Sequence, residues 1–194
     1  MSLDKLKNAF RKKAKLSRSC IHERIGAVAS YKISRYIEDF LLTRTDLEVV
    51  AAYFPIQSEI DIRPIIPKIR KLGRILCLPV VTVKDQPLKF VVWNENIELM
   101  EGRFQVLVPA SGEIIEPDLI LCPMLSFDSR GYRLGYGGGF YDRTIDYLTR
   151  RKHIFSLGCA YSQQTSSKLL PIGDYDKPLD AVATENGITF FSCE

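Results

Sequence analysis

Residues 118–143 read DLILCPMLSFDSRGYRLGYGGGFYDR. The opening run, 118–125, is continuously apolar rather than alternating, the pattern of a strand covered on both faces. The segment 140–151, FYDRTIDYLTRR, has helical periodicity. Between them Gly135, Gly137, Gly138 and Gly139 stand at a strand-to-helix junction. A buried strand, a glycine turn and a helix are the first half of a βαβ unit, which points to an α/β protein.

The same alternation extends outward. Apolar strand-like runs occupy 47–54, 73–81, 89–93, 153–161 and 187–191, with a Pro-bounded helix around 64–72 between the first two. Upstream, residues 3–18 form a basic amphipathic helix with Leu3, Leu6, Ala9 and Phe10 on one side. A second helix is expected over 21–42, where Ile25, Tyr31, Tyr36, Ile37, Phe40 and Leu41 give a broad apolar face. Residues 94–117, with Gly102, Pro109, Gly112 and Pro117, are expected to be loop-rich, and 102–117 to be a lid over a pocket or a plain surface loop. No repeat and no low-complexity tract interrupts the chain. The expectation is α/β, a single three-layer domain over 1–194 with a mostly parallel sheet flanked by helices.

Composition bounds the function. With 46% hydrophobic and 26% charged residues in 194, the chain is an ordinary globular one, which excludes collagen-like, coiled-coil and disordered classes. No apolar stretch approaches the ~20 residues of a membrane span, and the charged N-terminus has no apolar core behind it, so no secretory signal is expected. A cytoplasmic protein without a membrane partner is expected. Cys20, Cys77, Cys122, Cys159 and Cys193 are odd in number and widely spaced; Cys77, Cys122 and Cys159 lie in apolar runs, as buried reduced thiols do. His22 and His153 are the only histidines and neither has a second good ligand nearby, which disfavours zinc.

The net charge of +4 is concentrated at one end. Lys5, Lys7, Arg11, Lys12, Lys13, Lys15 and Arg18 against Asp4 put +6 on residues 1–18, leaving −2 on the remainder. Such a distribution is either a solvated helix face or a local site for an anion, and it lacks the basic stripe of a nucleic-acid binder.

The glycine turn carries the chemistry. Its amides can face phosphate oxygens, assisted by the positive end of the following helix; it can equally be a tight turn. It is no Walker A loop, since Phe140-Tyr141 stand where Lys-Ser/Thr would, and it is no dinucleotide fingerprint. Asp142 can hold Mg²⁺ beside a bound phosphate or complement the helix N-terminus. Arg133 and Arg143 flank the turn, and Phe140 and Tyr141 suit either stacking on a heterocycle or the core.

Residues 127–142 resemble the hallmark of the 5-formyltetrahydrofolate cyclo-ligase family, approximately F-D-x-x-G-x-R-L-G-x-G-x-G-[YF]-Y-D, at every fixed position. Lys7 and Arg11 on the first helix, Phe54-Pro-Ile-Gln-Ser-Glu59, and Asp176-x-x-x-Asp180 followed by Glu185 are similar to weaker family features in the same order. The resemblance implies an ATP- and Mg²⁺-dependent ligase that cyclises 5-formyltetrahydrofolate to 5,10-methenyltetrahydrofolate, with ADP and phosphate as the other products. It implies an ATP site from Lys7, Arg11, Arg133, Leu134, Gly135, Tyr136, Gly137, Gly138, Gly139, Phe140 and Tyr141. It implies a folate pocket from Phe54, Glu59, Trp93, Tyr136 and Phe140, Mg²⁺ at Asp142 and Asp176, and Glu59, Lys7 and Arg11 as catalytic groups. No nucleic acid is implied as partner, and a monomer is expected. Gly138 departs from the Lys of many members, Phe140 from the first Tyr of the usual pair, Val108 from an acidic residue, and Met124-Leu125-Ser126 from a Gly/Ala-rich run. A sugar-phosphate isomerase or an RNA-binding module would leave the match at 127–142 unexplained.

Overall fold

The computed structural model describes residues 2–191; Cys193 lies outside them. In chain order come α1 (Leu3–Thr43), β1 (Val49–Ala51), a short helical turn leading into α2 (Ile66–Lys71), β2 (Ile75–Val80), β3 (Lys89–Val92), β4 (Leu99–Glu101), β5 (Leu107–Pro109) and β6 (Leu119–Pro123). They are followed by β7 (Ser126–Phe127), β8 (Arg133–Leu134), α3 (Phe140–Thr149), β9 (Phe155–Cys159), β10 (Ala181–Thr184) and β11 (Gly187–Phe190). The main sheet has seven strands in the order β11-β10-β9-β6-β1-β2-β3. Its five inner strands are parallel, and β3 and β11 close the edges antiparallel. The protein is α/β with a mostly parallel sheet, as expected.

Strand periodicity sorts the core into two faces. Val50, Ala52, Leu76, Leu78, Leu119, Leu121 and Leu157 pack with Ile33, Ile37 and Leu41 of α1 and with Ile66 and Ile69 of α2. Val49, Ala51, Cys77, Ile120, Cys122 and Val182 pack with Ile145 and Leu148 of α3. Both faces are covered, which is why these strands are continuously apolar. The crossover from β1 to β2 runs over the first face and that from β6 to β9 over the second. Crossovers of one hand that travel in opposite directions along a sheet must lie on opposite faces. The strand order therefore reverses between β1 and β6, leaving a crevice beyond their C-terminal ends.

One expectation is corrected. Residues 3–18 and 21–42 are one helix: α1 spans 41 residues, about 60 Å at 1.5 Å per residue. Neither glycine nor proline stands at 18–21 to stop it; the apolar periodicity lapses because the face it buries there is polar, with Arg18 enclosed. Residues 94–117 are loop-rich, as expected, around the short β4–β5 hairpin. The segment Ala181–Thr184, which no apolar run marks in the sequence, is strand β10, and Glu185 follows it in a turn. Cys77, Cys122 and Cys159 are buried thiols, as expected, and burial pushes the Cys122 thiol up to about 12. Among the described residues no helix is long and apolar enough to cross a membrane.

Near its C-terminal end α1 packs by Phe40 against Phe155, at the start of β9, with ring centroids 5.2 Å apart. His22 meets Tyr161, just past the end of β9. The helix thus lies antiparallel to the parallel strands, and its first four turns project past their C-terminal edge.

Ile33 and Ile37 are fully enclosed whereas Val28 is 61% exposed. Ile37→Ala is expected to cost about 2–5 kcal/mol in urea unfolding, and Val28→Ala less than about 0.5 kcal/mol.

Candidate active site

The crevice holds a cavity of about 1170 Å³. Its walls include the overhanging part of α1, the loop after β1, the end of β2, the glycine turn between β8 and α3, residues 102–108 of the β4–β5 hairpin, and Tyr175–Asp176 of the loop before β10. Of the residues expected from sequence, all except Trp93 line it.

Leu134 ends β8, and Gly139 is the N-cap of α3. The turn requires glycine at two places. Gly137 has φ +103° and Gly139 φ +65°, left-handed backbone that L side chains avoid. At Gly137 a Cβ would also lie 3.1 Å from the Arg11 guanidinium carbon. Gly135 is different: a Cβ there would meet no atom within 4 Å. At Gly138 the Phe140 ring lies 2.8 Å from the place a Cβ would take. Arg143 donates to the Gly138 carbonyl at 2.6 Å and its guanidinium covers the Phe140 ring.

The overhang of α1 delivers three cations. Residues 7, 11 and 18 differ by four and seven, spacings that share a helix face. Lys7 Nζ lies 2.5 Å from Asp176 Oδ2. Arg11 Nε donates to the Gly135 carbonyl at 3.0 Å. Arg18 is 1% exposed and donates from Nε to Ser58 Oγ at 3.1 Å and from one terminal nitrogen to the Met124 carbonyl at 2.9 Å. Its other terminal nitrogen donates to the Tyr136 hydroxyl. In the sequence Arg18 belongs to the basic run, and its place on the Lys7–Arg11 face is the signal that links it to the site.

Glu59 is 3% exposed, at the end of the loop after β1. Its Oε2 accepts the Ile56 amide at 2.9 Å, and Oε1 lies 3.9 Å from Arg18. Burial raises the carboxyl to about 7, outweighing the Ile56 amide and the Arg18 charge, which act the other way. Phe54 borders the cavity with its ring edge-on to Trp93 at 5.7 Å. Trp93 itself packs behind Phe54; its Nε1 donates to the Ile97 carbonyl at 3.0 Å and Arg70 covers its face. The aromatic that borders the cavity from the 94–117 region is Phe104, 66% exposed and edge-on to Phe140 at 6.0 Å. No periodicity marks it, because it sits in an irregular turn.

Arg133 braces the site from behind. Its terminal nitrogens donate to Asp142 Oδ1 and to the Lys177 carbonyl, both at 2.9 Å. Asp142 Oδ1 also accepts the Lys177 amide, and Asp176 Oδ2 accepts the Gly173 amide. In both carboxylates the hydrogen bonds converge on one oxygen, and both residues border the cavity. Among the described residues no three His, Cys, Asp or Glu side chains cluster as a metal cage. Two half-engaged carboxylates fit a cation of the Mg²⁺ type, which takes one or two protein carboxylates and fills its shell with phosphates and water.

Glu59 yields a stability test. From its ordinary 4.5 up to about 7, the folded protein holds a proton that the unfolded chain has released. This group's contribution to stability is therefore complete below pH 4.5, falls as pH rises through 7 and is constant above. Glu59→Gln is expected to remove a stability difference of up to about 3 kcal/mol between pH 4.5 and 8, measured by urea unfolding at stepped pH.

The 5-formyltetrahydrofolate cyclo-ligase family profile matches residues 4–185. The 5-formyltetrahydrofolate cyclo-ligase of Escherichia coli (strain K12) is 31% identical over 145 residues, 72% of this chain and 79% of that one. Its counterpart in Mycoplasma genitalium is 30% identical over 163 residues, 81% of this chain and 86% of that one. Among solved structures, the NMR structure of Aquifex aeolicus 5,10-methenyltetrahydrofolate synthetase aligns with a TM-score of 0.80 and 30% identity, over 97% of this chain and 94% of that one. The synthetase of Mycoplasma pneumoniae shares the fold at a TM-score of 0.72 and 24% identity, over 92% of this chain and 98% of that one. The match begins in the cationic helix, crosses the glycine turn and ends beyond Asp176, taking in every segment that walls the cavity, and the chain belongs to the 5-formyltetrahydrofolate cyclo-ligase family.

Proposed function

We propose that the protein is an ATP-dependent ligase that closes 5-formyltetrahydrofolate to 5,10-methenyltetrahydrofolate, forming a C–N bond and releasing ADP and phosphate. The observation that carries this reading is one cavity with two chemically distinct ends. Lys7, Arg11 and the turn Gly135–Gly139 make a cationic, amide-rich end; Phe54, Ile56 and the buried carboxyl Glu59 make an apolar one. A pocket for one drug-sized ligand is about 300–1,000 Å³; at about 1170 Å³ this one suits two substrates held against each other.

The formyl oxygen of a formamide leaves poorly, so N-10 cannot close the ring by expelling it. Attack of that oxygen on the γ-phosphorus of ATP breaks the bond to ADP and makes an iminium phosphate. N-10 then adds to the formyl carbon, loses its proton, and the C–O bond breaks to release phosphate. Lys7 and Arg11 neutralise the phosphoryl charge, and the turn amides orient the chain of phosphates. Asp142 and Asp176 would hold Mg²⁺, which would supply further neutralisation of the phosphoryl charge. Phe54 and Phe140 pack on the flat pterin, with Tyr136 at the meeting point of the two substrates. Glu59, titrating near neutrality, is suited to accept the N-10 proton. Alignment of oxygen with phosphorus is the main contribution of the protein.

The experiment is the rise of methenyl-folate absorbance with purified protein, 5-formyltetrahydrofolate, ATP and Mg²⁺. A signal that needs both ATP and Mg²⁺ is expected; a signal without ATP, or none with ATP bound, overturns the reading. Gly135→Ala should fold with unchanged stability, because its Cβ meets nothing within 4 Å. It should raise the KM for ATP about tenfold or more, since a methyl group there keeps the phosphates from the backbone.

A further inference from the structure

We propose that Arg18 is a positioning residue of this site: its single buried guanidinium holds Tyr136 of the glycine turn and Glu59 of the loop after β1 in one fixed relation, registering the phosphate end of the cavity against its acyl end. The proposal rests on the cyclo-ligase reading for what the two ends bind, but the registration itself is a property of the resting protein.

Three nitrogens of Arg18 go to three different segments. Nε reaches Ser58, beside Glu59; one terminal nitrogen reaches the Met124 carbonyl just beyond β6; the other reaches the Tyr136 hydroxyl. Only a planar fork with donors in fixed directions can do this, and a lysine ammonium is a point charge on a flexible stem. The guanidinium also lies over the Tyr136 ring, 5.4 Å from its centroid, so the phenol is held by both its oxygen and its face. Burying a guanidinium is expensive, and this one sits where a purely structural side chain of equal volume would be apolar.

Glu59 feels the result. The groups acting on it are Arg18 from α1 and the Ile56 amide from its own loop, while the phenols of Tyr53, Tyr136 and Tyr141 lie near enough to be raised by its charge. Arg18 is the one cation among them, at 3.9 Å and with both side chains enclosed. Removing it leaves a buried carboxyl with only an amide to favour its anion.

The test titrates Glu59 in ¹³C-glutamate-labelled protein by NMR, without substrates, assigning its signal with Glu59→Gln. Arg18→Met is expected to move the Glu59 midpoint upward by about one pH unit or more. Arg18→Lys keeps the charge but not the fork; it should leave the midpoint within a few tenths and raise the KM for both substrates about fivefold or more. Ser58 does not border the cavity, so Ser58→Ala acts through Arg18 alone and should raise both KM values about two- to fivefold without altering the circular dichroism or the midpoint. It serves where Arg18→Met does not fold. An unmoved Glu59 midpoint in folded Arg18→Met, or wild-type KM values in both Arg18→Lys and Ser58→Ala, overturns the proposal. A moved midpoint in a protein whose wild type shows no cyclo-ligase turnover supports the role of Arg18 and removes the cyclo-ligase reading instead.

Discussion

The length mismatch between α1 and the sheet governs the rest of the molecule. A helix of 41 residues laid against strands of three to six residues cannot be covered along its whole length. Its second half is anchored by Ile33, Ile37 and Leu41 on the sheet, so the overhang must fall on one side, and it falls beyond the C-terminal ends of β1 and β6. That is also where an α/β sheet whose strand order reverses leaves a crevice. The helix supplies the cationic wall that the sheet lacks, and the crevice becomes a cavity because an overhang closes it.

This arrangement explains which parts were legible in sequence. β1, β2, β6 and β9 announce themselves because both their faces are covered, and Val/Ile/Leu runs have no other economical use in a chain of this polarity. The glycine turn is legible because Gly137 and Gly139 occupy backbone regions closed to other residues, so composition there reflects geometry directly. β10 escapes because Ala181-Val182-Ala183-Thr184 is short and built mostly from small side chains, with parallel pairing to β9 fixing it from outside. The continuity of α1 escapes for the opposite reason. Around Arg18 the buried face is polar because it faces a site, so hydrophobic periodicity fails while the helix goes on.

The aromatic residues repeat that distinction. Trp93 and Phe54 are in contact, and from sequence either suits a flat ligand; only the tertiary arrangement separates Phe54, with a free side toward the cavity, from Trp93, enclosed between Phe54 and Arg70. Phe104 lies in a turn with φ +61° and has no neighbour in sequence that hints at its direction. At Gly138 the Phe140 ring takes the volume that a side chain would need, so adding one there would displace that ring.

The ion pair between Lys7 and Asp176 spans 169 positions of the chain. Closing so large a loop costs conformational entropy that local contacts cannot offset, and contacts of high sequence separation form late. During synthesis, the cationic helix leaves the ribosome before any of its anionic counterparts exist. It must wait, charged and half-uncovered, until β9 and the loop before β10 have been made. Binding competence is then a late event in the protein's own assembly, and a chain stalled between β9 and Asp176 has the strands from β1 to β9 but not the complete site.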